Sequence, residues 1–78
     1  MGSEEHPNRL RECRVQAGLT QEQLSKETGI SRSMIAMIES HKRDMSIAQI
    51  LTLCDVLGVS ADELLGSWYY YAVIRMEK

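Results

Sequence analysis

Residues 20–39 read TQEQLSKETGISRSMIAMIE. Thr20 is a good helix cap, with Glu22 and Gln23 in the turn behind it. Ser31 is a second cap, just past the pair Gly29-Ile30. Gly29 can take a positive φ at little cost, as a sharp corner between helices requires. The stretch therefore predicts two short amphipathic helices, 21–28 and 32–40, joined by a tight turn.

Turning by about 100° per residue sorts the second helix into two faces. Ser31, Ile35 and Ile38 fall together, with Met34 at their edge. Ser33, Ala36, Met37 and Ser40 lie opposite, flanked by Arg32. In the first helix Leu24 is the main apolar anchor, and the small Ser25 leaves room for close packing.

Outward from this centre the pattern continues. An earlier helix is expected over 8–17, ended by Gly18, with Leu10, Cys13 and Ala17 as its buried stripe. Arg9, Arg11, Glu12 and Arg14 lie off that stripe and read as a solvated face. The loop HKRDM at 41–45 is charged. Ser46 then caps a helix over 47–57, with Ile47, Ile50, Leu51, Cys54 and Leu57 on one stripe and Gly58 at its end. Ser60 caps a last short helix over 61–65, with Asp62 and Glu63 at its positive end. Gly66 closes it.

Two helices joined by about three to four residues containing Gly form a helix-turn-helix, whose second helix fits a DNA major groove. The net charge of −2 argues mildly against nucleic acid, but its distribution argues back. Residues 8–43 carry seven basic and four acidic side chains, a net of +3. Residues 44–78 carry two basic and five acidic, a net of −3, and Glu4 and Glu5 supply the rest. Such a dipolar distribution can orient a protein on DNA.

A chain of 78 residues makes one small domain. Residues 1–7 read as a loose, polar arm without the basic and apolar regions of a signal peptide. There is no run of about 18 apolar residues for a membrane span. Cys13 and Cys54 stand far apart, with no CxxC and no nearby His, so no metal site is expected. They read as small buried side chains in a reducing cytoplasm. No His–carboxylate pair, Gly-rich phosphate loop or activated nucleophile is present to suggest an enzyme, and no cofactor is implied.

The tail 66–78 differs in kind. Trp68, Tyr69, Tyr70 and Tyr71 are the only Trp, Tyr or Phe residues in the chain. With Ala72, Val73 and Ile74 they make an apolar run dense in strand formers. An unpaired strand of this composition is an aggregation hazard. The tail is therefore expected to mediate dimerisation, as strand or short helix, through Trp68, Tyr69, Tyr70, Tyr71 and Val73. The alternative is a sixth helix, capped by Ser67 and packed on its own domain.

The segments NRLRECRVQAGLTQEQLSKETGISRSMIAMIE and ILTLCDVLGVSADELL resemble the lambda-repressor and Cro type of helix-turn-helix regulators, the XRE family. The resemblance covers residues 8–65. It implies an all-α fold, a compact five-helix bundle whose third helix enters the major groove, in a protein that usually works as a homodimer. By position, it implies base contacts from Arg32, Ser33, Ala36 and Met37. It implies backbone contacts from Gln21, Ser31, Ser40, Lys42 and Arg43, with Gln21 also bracing the third helix. Two departures stand out. Ala36 and Met37 replace polar or basic residues, and Ser40-His41 stands where Asn-Gly is frequent.

The expected function is a sequence-specific transcriptional regulator, a repressor, that binds a partly palindromic duplex DNA site as a homodimer. It needs no small-molecule ligand and no membrane. The competing expectation is an adaptor that uses the same fold to bind protein, favoured by the net acidity and the apolar Ala36/Met37 face.

Overall fold

A computed structural model describes residues 8–66. Five helices follow one another: α1 (Leu10–Gln16), α2 (Gln21–Thr28), α3 (Arg32–Glu39), α4 (Ile47–Leu57) and α5 (Ala61–Leu65). No strand occurs among the described residues. The expectations for the arm 1–7 and for Trp68, Tyr69, Tyr70, Tyr71 and Val73 lie outside them.

The helix starts are built from local side-chain chemistry. Thr20 Oγ1 accepts from Gln23 N at 3.0 Å, and Gln23 Oε1 accepts from Thr20 N at 2.8 Å. The same reciprocal box joins Ser46 to Gln49 and Ser60 to Glu63. Each box satisfies backbone donors that a helix start leaves unpaired. Ser31 Oγ accepts from Met34 N at 3.1 Å and opens α3. Gly29 turns the corner between α2 and α3 at φ 79°. A Cβ there would meet nothing within 4 Å, so the demand for glycine comes from the backbone alone.

The core draws on every helix. Leu10, Leu24, Ile35, Ile38, Leu53 and Leu64 are fully buried, joined by Cys13, Met45, Leu57 and Leu65. α2 packs on α3 and α4, while α1 lies against α3 and α5. Arg9 N donates to Leu64 O at 2.8 Å and ties the start of α1 to α5. The result is a platform of packed helices that fixes α3 in direction.

Two expectations about the core need correction. Ala17 is exposed, because α1 ends at Gln16 and Ala17 caps it; Leu19 packs against the core instead. The stripe assigned to α4 is also rotated. Leu53 and Leu57 are its buried residues, with Ile50, Cys54 and Val56 packed alongside. Ile47 and Leu51 are 76% and 66% exposed. α4 carries apolar residues on more than one face, so periodicity alone does not select its orientation. Packing against α2 and α5 does.

Candidate nucleic-acid interface

The capping of α3 decides which of its side chains point outward. Ser31 starts it, and Ile35 and Ile38 fix its inner face. Met34 is half-buried at the edge of that face. Ser33 and Ser40 are exposed on the opposite side, and Arg32 is exposed at its flank. Ala36 and Met37 lie there too but are half-buried. The outward face is therefore apolar between two polar ends.

At its C-terminal end, α3 closes tightly. His41 N donates to Ile38 O at 3.0 Å, and Lys42 N donates to Met37 O at 2.8 Å. This closure leaves Lys42 and Arg43 exposed just beyond the helix. It also puts His41 at φ 65°, the one left-handed non-glycine among the described residues. That conformation explains why glycine is common at this place in the resembling family. Asn8 supports the histidine: its Nδ2 sits 3.3 Å from His41 Nδ1 and donates to Ile38 O at 3.0 Å. Asn8 Oδ1 meanwhile accepts from Leu10 N at 3.0 Å and serves the start of α1.

The start of α2 is anchored to the end of α3. Gln21 Nε2 donates to Glu39 Oε1 at 3.0 Å. Glu39 is itself gripped by Arg14 of α1, Nε to Oε2 at 2.6 Å and Nη2 to Oε1 at 3.2 Å. Arg14 Nη1 also donates to Leu19 O at 2.8 Å. The Arg14 and Glu39 side chains are only 13% and 5% exposed. A two-pronged guanidinium–carboxylate contact of this kind fixes direction as well as distance. It holds α1, α2 and α3 in one arrangement. Arg14 is thus no part of a solvated face, which corrects the expectation made for it.

Two shallow hollows organise the surface around this cluster. One is lined by Arg14, Leu19, Thr20, Gln21, Glu22 and Arg32. The other is lined by Arg11, Arg14, Gln21, Ala36, Glu39 and Ser40. Arg14 and Gln21 are common to both, with Arg32 on the side of one hollow and Ala36 and Ser40 on the side of the other. Ser31, Ser33, Met37, Lys42 and Arg43 line neither hollow. Arg14, Glu39 and Arg11 escaped the site reading of the sequence. Arg14 and Glu39 are 25 residues apart, and no local periodicity links them.

Among the described residues no group of His, Cys, Asp or Glu converges as a metal site. No helix there is long and apolar enough to cross a membrane. Cys13 and Cys54 are free thiols, and burial raises the pKa of both. They are neutral apolar side chains near neutral pH, and Cys13 Sγ–H points at Glu63 O, 3.7 Å away.

Comparisons with known proteins agree with this fold. A family profile described as helix-turn-helix matches residues 10–64. The HTH-type transcriptional regulator YazB of Bacillus subtilis is 46% identical over 56 residues, which cover 72% of this chain and 81% of that protein. A regulator of the same type from Methanocaldococcus jannaschii is 35% identical over 57 residues, covering 73% of this chain and 86% of its own. Among solved structures, the restriction-modification controller protein C.AhdI of Aeromonas hydrophila superposes with a TM-score of 0.66 at 38% identity. It covers 70% of this chain and 83% of its own. A hypothetical transcription factor from Neisseria gives 0.65 at 30% identity, over 72% of this chain and 64% of its own. The match spans all five helices, and the chain belongs to the XRE-type helix-turn-helix family of transcriptional regulators.

Proposed function

We propose that this chain is a sequence-specific DNA-binding regulator that lays α3 in the major groove. The observation that carries the proposal is the position of α3. Its inner face is locked in the core, and its outer face borders two hollows that share Arg14 and Gln21. Arg32, Ser33, Ala36 and Met37 meet base edges. Gln21, Ser31, Ser40, Lys42 and Arg43 meet the backbone phosphates.

The chemistry of the base-reading set is uneven. Arg32 is its one bidentate donor, suited to guanine. Ser33 pairs with either base of a pair. Ala36 and Met37 offer apolar contact to thymine methyl groups. Specificity per half-site is therefore modest, and a second copy multiplies it.

The reading thus includes a homodimer acting as a repressor on a partly palindromic operator, with half-sites about 34 Å apart. The composition of residues 68–74, four aromatics followed by Ala72, Val73 and Ile74, suits such pairing. A chain ending at Gly66 is expected to sediment as a monomer; one that stays dimeric removes the tail from the interface. The likeness to a restriction-modification controller protein fits a small DNA-binding regulator.

The test is binding to mixed genomic duplex fragments at low salt. DNA binding weakens steeply as salt rises, because phosphate contacts release counterions. Absence of any shift at low salt would favour the protein-binding adaptor instead.

A further inference from the structure

The hollow beside the C-terminal half of α3 has a volume of 260 Å³. Its one carboxylate is already paired. Glu39 is neutralised by Arg14, and Gln21 Nε2 gives one of its two hydrogens to Glu39. Ser40 Oγ donates to Met37 O at 3.2 Å. Ala36 contributes only a methyl group to its wall. Arg11 of α1 remains: it is exposed and forms no ion pair among the described residues. Its acidic neighbour Glu12 does not line this hollow. It borders a different one, on the outer side of α1, which Arg11 also edges. The hollow next to α3 therefore carries one uncompensated positive charge.

Ala36 and Ser40 stand one turn apart on the outward face of α3. A helix seated in a major groove has a phosphate strand along each side. Arg11 lines the hollow together with Ala36 and Ser40, beside the outward face of α3. We propose that Arg11 is a DNA-phosphate contact, with its guanidinium holding one backbone phosphate at the mouth of this hollow. α1 is then part of the DNA footprint, and the contact adds affinity without reading sequence. The proposal rests on α3 being the groove-binding helix.

The experiment measures binding of a short duplex of random sequence over a series of salt concentrations. The variants are Arg11→Gln, Arg11→Lys and, as a control, Lys26→Gln. Lys26 is an exposed cation in the last turn of α2, at the far end from Gln21. Losing one phosphate contact makes the slope of log K against log salt shallower by about 0.9. Arg11→Gln is expected to show that loss with an unchanged thermal midpoint. Arg11→Lys is expected to keep the parent slope, and Lys26→Gln to leave it nearly unchanged. An unchanged slope in Arg11→Gln, in a parent that binds, overturns the Arg11 contact alone. An equal loss in Lys26→Gln assigns the effect to diffuse charge and also overturns it. A parent that binds no duplex at low salt overturns both the contact and the reading beneath it.

Discussion

Replacing Glu39 by alanine tests the cluster that orients the interface. The change removes both guanidinium contacts of Arg14 and the anchor of the Gln21 amide in one step. Arg14 keeps only its bond to Leu19 O. Removing one partner of a buried ion pair costs about 3–5 kcal/mol, because the other charge is left without compensation. Arg14 is 13% exposed and can partly turn to water, which places the cost near the lower end, about 3 kcal/mol. A chain of 78 residues has a total stability of only about 4–12 kcal/mol. Glu39→Ala should therefore lower the thermal midpoint by about 12–24 °C, at about 4–8 °C per kcal/mol for a domain of this size.

Urea titration followed by circular dichroism gives the free energy directly. The double variant Arg14→Met, Glu39→Leu removes both charges at once. It should recover to within about 1 kcal/mol of the parent, since an apolar replacement of a buried pair is often neutral. It should also bind DNA more weakly than the parent, because the Gln21 amide is no longer held. A cost for Glu39→Ala below about 1 kcal/mol, the value of an exposed pair, would refute the claim that this cluster is a buried brace.

Other outcomes follow from the same geometry. Arg32→Ala should lose about 1–3 kcal/mol on the preferred operator, with little change on random duplex, in a quantitative gel shift. His41→Gly should raise stability by about 0.5–1 kcal/mol in thermal unfolding, since relief of a left-handed residue outweighs the entropy that glycine adds to the unfolded chain. A fall in stability would mean that the Asn8–His41 contact matters more than the backbone. Cys13 and Cys54, raised by burial, should react slowly with iodoacetamide in the folded chain and quickly in urea. Equal rates in both states would show the thiols to be open to solvent.

Much of this fold is written in short-range signals. The Thr20–Gln23, Ser46–Gln49 and Ser60–Glu63 boxes each span three residues, and Gly29 marks its own corner. Helix limits were therefore legible nearly to the residue. The face of α3 was legible too, because Ile35 and Ile38 leave little choice of rotation. The orientation of α4 was not, since apolar residues surround much of that helix and only its neighbours select Leu53 over Leu51. The outward placing of Arg32, Ser33, Ala36 and Met37 on α3 followed from that rotation. The contacts around α3 were hidden, because Arg14 meets Glu39 across 25 residues and Arg11 comes beside Ala36 and Ser40 only through the packing of α1. The left-handed turn at His41 was masked by the absence of glycine.

Selection of bound sequences from a random duplex pool tests the central claim most directly. If α3 reads the major groove, the pool should converge on a partly palindromic site. Each half should hold a guanine for Arg32 beside one or two thymines, with half-site centres about 10–10.5 base pairs apart. Arg32→Ala should relax the guanine position and leave the rest. A pool that shows no enrichment after repeated rounds at low salt would contradict the account.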